Sequence, residues 1–405
     1  MVPLLGVLIK FHNMILVINA GSSSIKTSLY TKSKIPELIF NAQIQRIGFP
    51  DCSLIYKIDQ SSKSGTNLIG AIDYDGAIKS MLSWLKTQVN FNDIEVVVHR
   101  IVHGMTHKSI TKITTELLIE LKQITRYDPD HLPNELKIVD TVIRLYPEIK
   151  QYACFDTEFH RTIPEVARIL PIPARFRTQG IERYGFHGLS FSYLMYEIEI
   201  KHGKALSKGK IILAHLGNGV SLAAIKDGNC IDTSMGFTPA SGLLMSTRGG
   251  DMDPGVAWYM MEKEKLTPMQ FNNIINHECG IIAVSGTSSD INDLIEIQHT
   301  DKNAERAMDL FCYQIKKCIG SYSAILGGLD MLVFSGGIGE HIPQIRERIC
   351  KGLDFLGIVI DEDKNNNNDS KISSNNSKVQ ISVMHTDEEF MMAKKVSQEL
   401  KITSI

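Results

Sequence analysis

The sequence predicts an α/β protein of two related lobes, because strand and helix patterns alternate along it and one supersecondary pattern occurs twice. In that pattern an apolar strand is followed by a polar turn containing glycine and then by a second strand. The first copy runs from Ile15 to Tyr30 and the second from Ile211 to Ile225, with Gly21 and Gly217 at corresponding positions. The repetition indicates two related lobes whose turns close on one phosphate chain. A length of 405 residues is that of one large or two medium domains.

The composition is that of an ordinary globular protein and excludes several classes of partner. Apolar residues make up 43% and charged residues 22%, and the formal net charge is −2, so no nucleic acid is expected as a partner. The seven cysteines form no CxxC pair and no metal-ligand spacing, which predicts reduced thiols and a cytoplasmic location. No apolar run predicts a membrane span, and residues 1–13 are expected to be an extension without a catalytic role rather than a signal peptide.

The first hairpin is a candidate anion site. A buried strand over 14–18 leads into the turn from Asn19 to Ser24, and Lys26 precedes a second strand over 27–30. Gly21 lets the backbone approach a phosphate closely, Lys26 adds a positive charge, and Asn19 offers a carbonyl oxygen that suits Mg²⁺. A hairpin turn that binds no ligand explains the same residues, so both interpretations stay open on this segment alone.

The rest of the first lobe is predicted as an antiparallel meander followed by helices and further strands. Strands are expected over 38–47, 53–58 and 95–102, and helices over 73–87, 115–124 and 134–145. Arg100 lies in the apolar strand 95–102, where a buried guanidinium needs an anionic partner. That partner is either a ligand or an internal salt bridge.

Two polar residues in the middle of the chain lie at the ends of predicted elements. A short strand delivers Asp156 to a loop, where a carboxylate serves as a Mg²⁺ ligand, an orienting group or a helix cap. His187 lies between glycines and aromatic residues, just before a helix predicted from Ser190. An isolated histidine there is more often structural than catalytic.

The second half of the chain contains three glycine- or asparagine-rich segments. Residues 236–254 are too rich in Gly and Pro for a helix and are predicted to form an ordered functional loop carrying Arg248. The strand 331–334 runs into a glycine-rich turn, with a helix from Pro343, and this arrangement can seat a nucleotide. Residues 361–378 read as a flexible surface insertion, so deletion of residues 365–376 is expected to leave activity and melting temperature nearly unchanged. In a final helix predicted over 389–400, Glu388 either binds metal or favours the helix N-terminus.

In combination, these motifs occur in the order found in acetate kinases. The chain resembles that family in VINAGSSSIK, HRIVHG, FDTEFH, YGFHG, HLGNGVS, GFTP with TRGGDMDP, SGTSSD, SGGIGE and TDEE, from Met14 to the C-terminus. The resemblance implies a two-lobed, duplicated ribonuclease-H-like (actin-like ATPase) fold with mixed sheets flanked by helices. It implies an N-terminal lobe over 1–150, joined by the C-terminal helix 388–405, a nucleotide-binding lobe over 151–387, ATP in a cleft between the lobes, and a homodimer.

The implied reaction is phosphoryl transfer from ATP to acetate, giving ADP and acetyl phosphate, with Mg²⁺ or Mn²⁺ as the metal. By resemblance, the catalytic residues are Asp156, His187 and Arg248, and the metal ligands are Asn19 and Glu388. The substrate-binding positions implied are Arg100, Val102, His131, Phe186 and Pro239. The nucleotide-contact positions implied are Ser22, Ser24, Lys26, His215, Leu216, Gly217, Asn218, Gly219, Asp290, Ile291, Asn292, Gly337, Ile338, Gly339, Glu340 and His341.

The chain departs from the family pattern at several positions. Asp130 stands where the family has a leucine that helps to wall the acetate methyl pocket, and Asn292 replaces an arginine two residues after Asp290. His341, Phe191 and Ser241 also replace the residues usual at their positions. Two alternatives therefore remain: a kinase for propionate, butyrate or another short carboxylate, and a non-catalytic actin-like ATP-binding protein.

Overall fold

The computed structural model describes residues 13–58, 63–107 and 109–401. The extension predicted over residues 1–13 therefore lies, apart from Asn13, outside the described residues. The chain forms two compact units, one comprising Met1–Glu158 with Asp387–Ile405 and the other comprising Phe159–Thr386.

Unit 1 is built on a sheet of eight strands among its described residues, in the spatial order β5-β4-β3-β2-β1-β6-β8-β7. Strands β1 to β5 form the predicted antiparallel meander, and β6 and β8 continue the sheet in parallel with β1. All seven residues of β1 are buried, because this central strand is covered on both faces. The strands are β1 (Met14–Ala20), β2 (Ile25–Thr31), β3 (Leu38–Gln45), β4 (Ser53–Ile58), β5 (Lys63–Leu68), β6 (Ile94–Ile101), β7 (Thr111–Lys112) and β8 (Lys150–Phe155).

Two features of this sheet differ from the sequence prediction. The polar edge strand β5 has no apolar alternation and was not predicted; its pairing with β4 determines its conformation. The predicted lobe boundary at residue 150 would assign β8 to the second lobe, whereas β8 pairs with β6 in the first sheet. This pairing brings Arg100, near the end of β6, opposite Cys154 and close to Asp156, which follows β8.

The helices that precede unit 2 begin at residues with identifiable caps or turns. Asp73 caps α1 (Tyr74–Gln88) through Gly76, and Thr114 caps α2 (Thr115–Gln123) through Leu117. Helix α3 (Leu132–Leu145) begins two residues before the predicted start, with Pro133 in its first turn, a position that proline tolerates well.

Unit 2 repeats the central part of the first sheet. Its strands are β9 (Ile211–Leu216), β10 (Val220–Lys226), β11 (Asn229–Thr233), β12 (Met331–Ser335) and β13 (Gln380–Val383), in the order β11-β10-β9-β12-β13. Three antiparallel strands are followed by two parallel strands, as in β3-β2-β1-β6-β8 of unit 1. The duplication predicted from the two hairpins is confirmed.

Helices surround the second sheet. They are α4 (Glu165–Arg168), α5 (Ala174–Arg177), α6 (Gly188–Ser207), α7 (Pro254–Glu264), α8 (Pro268–His277), α9 (Ile281–Ser285), α10 (Ile291–Ile297), α11 (Lys302–Leu326), α12 (Gly336–His341), α13 (Pro343–Cys350) and α14 (Glu362–Asn366). The final helix, α15 (Glu388–Glu399), belongs to unit 1 and is capped by Asp387. None of the helices among the described residues is long and apolar enough to cross a membrane.

Two predictions for unit 2 are wrong. The glycine-rich turn after β12 is itself helical, as α12, and only Gly336 at its start has a positive φ, of 76°. The segment 361–378 is not a loose insertion, since it contains α14, bridges to residues 360 and 382, and a fully buried Ile372. The composition does not reveal these contacts, because the buried asparagine of this segment forms its hydrogen bonds with residues that are distant in sequence.

Candidate functional site

The first group of candidate side chains lies in unit 1, around Arg100. Its guanidinium donates to Asp156 Oδ2 at 2.5 Å and lies 3.8 Å from Glu135 Oε1, with only 13% of the side chain exposed. Both carboxylates are buried, and Glu135 also accepts the backbone N–H of Val102. No local sequence pattern distinguishes Glu135, because its position on α3 beside Arg100 is created by the tertiary fold.

The Arg100 cluster has more carboxyl groups than cations, and three of its buried polar atoms make no hydrogen bond to the residues that the structure describes. They are Arg100 Nε, Asp156 Oδ1 and Glu135 Oε1, the last of which lies 3.8 Å from the guanidinium. Burial raises the pKa of Asp156 and of Glu135, and in each case Arg100 opposes that shift only in part. Burial would lower the pKa of Arg100, but Asp156, Glu388 and Glu135 raise it, so the guanidinium stays charged.

His131 lies at the N-terminus of α3 and is held by a second buried carboxylate. Asp128 Oδ1 accepts hydrogen bonds from the backbone N–H of His131 at 3.2 Å and from its Nδ1 at 2.9 Å. Leu132, the next residue, is fully buried, whereas Asp130 is only partly buried. The charge of His131 also lowers the pKa of Asp156, which places the imidazole in the electrostatic surroundings of the Arg100 cluster.

The predicted metal ligands Asn19 and Glu388 lie together, with Glu389 as an additional neighbour. Asn19 Nδ2 donates to Glu388 Oε2 at 3.1 Å and to Glu389 Oε1 at 2.9 Å. Burial and the charge of Glu388 raise the pKa of Glu389, while Lys26 opposes the shift. Glu389 belongs to the TDEE sequence, in which two consecutive glutamates begin a helix. This pair is the sequence feature that could have indicated Glu389 as a neighbour of the predicted metal ligands.

These residues fit a hard divalent cation. Among the described residues no group of three or more His, Cys, Asp or Glu side chains forms a ready-made metal cage. Mg²⁺ characteristically uses one or two carboxylates together with substrate phosphates, and Asn19, Glu388 and the unused Oδ1 of Asp156 supply oxygen ligands of that kind.

Ser22 and Ser24 of the first hairpin lie in a tight turn, and Lys26 is the second residue of β2. The Gly21 N–H donates to the Ser24 carbonyl at 2.8 Å, and Tyr74 donates to the Gly21 carbonyl at 2.9 Å. Ser22 and Lys26 are exposed. The turn is therefore fixed at its base and open at its tip.

The second group lies in unit 2, where His187 and Arg248 converge on Gly219. A Cβ atom added to Gly219 would lie 3.0 Å from His187 Nε2 and 3.2 Å from Arg248 Nη2. His187 has a left-handed backbone, with φ of 59°, and its Nδ1 shares a 2.8 Å hydrogen bond with Ser221 Oγ. A positive φ is uncommon for a residue other than glycine, although histidine adopts it more readily than most.

Arg248 is held by the loop that precedes it. Its Nη1 donates to the Pro239 carbonyl at 2.9 Å, and the loop bonds to itself through Met245 N and the Arg248 carbonyl. Gly280 approaches this loop so closely that a Cβ there would lie 2.7 Å from Arg248 N. Residues 236–254 thus form the ordered loop that the sequence predicts.

The predicted nucleotide-contact residues of unit 2 occupy several places. The ring of His215 lies 4.5 Å from that of His187, and His215 is the second-last residue of β9, just before the turn Gly217–Gly219. Asp290 caps α10 by accepting from Asn292 N, so part of its bonding capacity is used within the helix. The side chains of Leu216 and Ile291 are buried, as is that of Phe186, which is predicted to bind the acceptor rather than the nucleotide.

Helix α12 contains the last predicted group, Gly337 to His341. Gly336 packs against β9 so tightly that a Cβ would lie 2.6 Å from the Leu216 carbonyl, and Glu340 accepts the Gly336 N–H while pairing with His385. Gly337 faces open space, and His341 is exposed.

Comparisons with known proteins agree on one family. The model of the acetokinase family matches residues 14–394. The chain is 37% identical over 390 residues to an acetate kinase of Rhodopseudomonas palustris, covering 95% of this chain and 98% of the relative. It is 39% identical over 388 residues to a propionate kinase of Salmonella typhimurium, covering 94% and 95% of the two chains. The crystal structure of Porphyromonas gingivalis acetate kinase aligns with a TM-score of 0.84 at 35% identity, covering 96% of this chain and 100% of that chain.

Proposed function

The chain belongs to the acetokinase family, and we propose that it transfers the γ-phosphoryl group of ATP reversibly to acetate, giving acetyl phosphate and ADP. A carboxylate acceptor is already ionised at neutral pH, so the reaction requires no strong general base. The main obstacle is the repulsion between an anionic acceptor and a polyanionic donor. Cations and neutral donors must therefore screen the charges and align the transferring group.

Arg100 of unit 1 binds the carboxylate of the acceptor. Asp156 holds the guanidinium on one side, and Nε is a buried donor without a hydrogen-bond partner among the described residues. A guanidinium can bind a carboxylate through two parallel hydrogen bonds, which fixes the direction of the attacking oxygen. Val102, His131, Phe186 and Pro239 complete the acceptor-binding residues.

Asp156 orients Arg100 rather than abstracting a proton. Its Oδ2 is occupied by the guanidinium, and the acceptor has no proton to remove. Mg²⁺, or Mn²⁺ in its place, would be held by Asn19 and Glu388 and would neutralise phosphate charge when bound. The unused Oδ1 of Asp156 is available to this ion or to its water ligands.

His187 and Arg248 of unit 2 stabilise the transferring phosphoryl group. The single observation that carries this assignment is the convergence of His187 Nε2 and Arg248 Nη2 beside Gly219, a residue with no side chain to occupy the space. Ser221 and the Pro239 carbonyl hold the two side chains, so these donors are in place before the reaction.

The nucleotide is bound by exposed turns and by the glycine-rich helix α12. Ser22, Ser24 and Lys26 act on the phosphates, as do His215 and the turn Gly217–Gly219. Asp290 to Asn292 and Gly337 to His341 contact the rest of ATP. Asn292 supplies a neutral amide where the family pattern has a guanidinium, so we expect the nucleotide contact at this position to be weaker.

A hydroxamate assay tests the proposal with ATP, Mg²⁺ and formate, acetate, propionate and butyrate in parallel. The expected result is acyl phosphate from acetate with the highest kcat/KM. Highest kcat/KM for propionate would instead favour the second candidate, which is supported by the 39% identity to a propionate kinase. ATP binding without acyl phosphate formation from any of these acids would contradict both and favour a non-catalytic ATP-binding protein.

We also infer that the protein forms a homodimer through α7 and α8 and works in the cytoplasm. Neither helix has a buried residue in the chain, and Trp258 is 70% and Met269 82% exposed. Large apolar side chains gathered on neighbouring helices are typical of a protein interface. All seven cysteines are free thiols, which supports a reducing compartment.

A further inference from the structure

The turn before α3 contains a buried aspartate, Asp128, that has no role in the proposed reaction. Asp128 is only 4% exposed, and its Oδ1 receives both the backbone N–H and the Nδ1 of His131. Its Oδ2 is buried and has no hydrogen-bond partner among the described residues. A carboxylate this deeply buried is costly unless its charge is used.

The chemistry of this contact determines where the proton of His131 resides. Burial raises the pKa of Asp128, but the hydrogen bonds and charge of His131 and the charge of His103 outweigh it, so the pKa lies below its ordinary value. Asp128 is therefore an ionised carboxylate near neutral pH and can only accept hydrogen bonds. Because His131 Nδ1 faces Oδ1 at 2.9 Å, Nδ1 must carry a proton, and Nε2 is the nitrogen left for a ligand.

We propose that Asp128 is a positioning residue that holds His131 with its proton on Nδ1 and turns Nε2 toward the anionic acceptor. When Nε2 takes a proton from solvent, Asp128 balances the charge of the imidazolium, and Nε2–H donates to an oxygen of the bound carboxylate. The imidazolium thus becomes a second cationic donor beside Arg100. This inference rests on the proposed function for the identity of the ligand, but the tautomer itself depends only on the Asp128–His131 contact.

The charged surroundings are consistent with this arrangement. Asp130 lies in the same turn, His103 follows β6, and Asp156 follows β8 and has its pKa lowered by the charge of His131. Arg100 and Glu135 form the remaining charged pair of the group. Besides Asp128, this group therefore holds three carboxyl groups and one guanidinium, so a cationic donor at the position of His131 faces mainly acidic side chains.

The experiment compares Asp128→Ala with Asp128→Asn, since the asparagine keeps an acceptor oxygen for Nδ1–H but has no charge. Asp140→Ala is the matched control, because Asp140 is a half-exposed aspartate of α3 paired with Lys122 on the surface. We expect Asp128→Ala to raise the KM for acetate about tenfold or more, with Asp128→Asn intermediate and Asp140→Ala unchanged. The KM for ATP should stay within about twofold in all three, which a general loss of structure would not produce.

A second measurement does not depend on activity. Nitrogen-15 NMR of the histidine-labelled wild-type protein, with His131→Gln for assignment, is expected to show a proton on His131 Nδ1. In Asp128→Ala we expect this proton to be lost from Nδ1 or to exchange between the two ring nitrogens. A wild-type ring protonated on Nε2 alone, or a folded Asp128→Ala with unchanged acetate KM, would overturn the inference. If the wild-type protein phosphorylates no carboxylate, the proposed function fails, and the tautomer measurement still decides the role of Asp128.

Discussion

At the scale of single residues, the proposed function depends on the absence of a side chain at Gly219. His187 Nε2 and Arg248 Nη2 approach within 3.0 and 3.2 Å of the place where a Cβ would lie. These contacts are tighter than ordinary van der Waals distances, so one methyl group must displace at least one of the two donors. Loss of one preorganised donor typically costs about a hundredfold in rate.

We therefore predict that Gly219→Ala stays folded and loses about a hundredfold in kcat. Gly320→Ala on α11 is the matched control, because a Cβ there meets nothing within 4 Å. The measurement is kcat for acetate together with the melting temperature. Near-normal kcat in a folded Gly219→Ala protein would show that the two donors do not act together.

Asp156 gives a prediction about pH. Burial raises the pKa of Asp156 above its ordinary value of about 3.9. Between the ordinary pKa and the raised pKa, Asp156 is therefore protonated in the folded protein and ionised in the unfolded chain. The free energy of unfolding contributed by this group therefore falls as pH rises through that window. At neutral pH an ionised Asp156 destabilises the fold, although Arg100 compensates in part.

We expect Asp156→Asn to be at least as stable as the wild-type protein at pH 7, because the amide cannot ionise, and to lose about a hundredfold or more in kcat. Thermal unfolding between pH 4 and pH 7 should show a smaller decline for the variant than for the wild-type protein. Asp140→Asn, at an exposed site, controls for the change in net charge. A clearly lower melting temperature for Asp156→Asn at pH 7 would show that the ion pair with Arg100 outweighs the cost of burying the Asp156 charge.

At the scale of elements, one buried arginine joins α12, α13 and α14. Arg346 is fully buried and donates to Asn365 Oδ1 at 2.8 Å, to the Asn365 carbonyl at 2.8 Å and to Asn368 Oδ1 at 2.7 Å. It also donates to the carbonyls of Gly339 and Glu340 in α12. All these acceptors are neutral, and burial lowers the pKa of Arg346 to about 10. Through Arg346, the asparagine-rich segment 361–378 thus stabilises α12, the helix that we propose to bind the nucleotide.

We predict that Asn365→Ala lowers the free energy of unfolding by about 2 kcal/mol, because it leaves a buried charged donor without its acceptor. Asn366→Ala is the control, since the neighbouring asparagine is exposed. Denaturant unfolding measures both. Deletion of residues 365–376 should lower stability further, and equal stability of the deletion variant and the wild-type protein would restore the sequence-based view of a loose insertion.

At the scale of the whole molecule, the exposed apolar side chains of α7 and α8 bear on the proposed dimer. Helices α7 and α8 carry Trp258, Tyr259 and Met269, all exposed, and contribute no buried residue to the described part of unit 2. Covering such side chains with a second copy removes apolar area from water, at about 25 cal/mol per Å². A charge placed there should oppose that association.

We predict that the double variant Trp258→Asp, Met269→Asp sediments as a monomer at concentrations where the wild-type protein sediments as a dimer. Ile119→Asp is the control, because Ile119 is an exposed apolar residue of α2 in unit 1. Sedimentation velocity at several concentrations distinguishes the outcomes. A dimer that persists in the double variant would place the interface elsewhere.

The sequence by itself determined the duplicated α/β fold, the order of most elements and the residue types of the site. Apolar runs, alternation and turn residues are local patterns, and they identified β1, β6, β9 and β12, whose polar ends carry candidate residues in each unit. The resemblance to one family then assigned roles to Arg100, Asp156, His187 and Arg248, because family motifs occur in the same order along nearly the whole chain.

Only the tertiary structure decided which groups meet. Glu135 contacts Arg100, and Glu389 contacts Asn19, although each pair is distant in sequence. Asp128 precedes a helix and has the sequence context of an ordinary turn residue. No local pattern therefore distinguishes these three acidic residues from surface acids. The same holds for Asn365. The composition of its segment predicts exposure, whereas its side-chain oxygen accepts a hydrogen bond from the buried Arg346. Burial and hydrogen-bond satisfaction depend on partners brought together by strand pairing and helix packing, and those partners are absent from any short stretch of sequence.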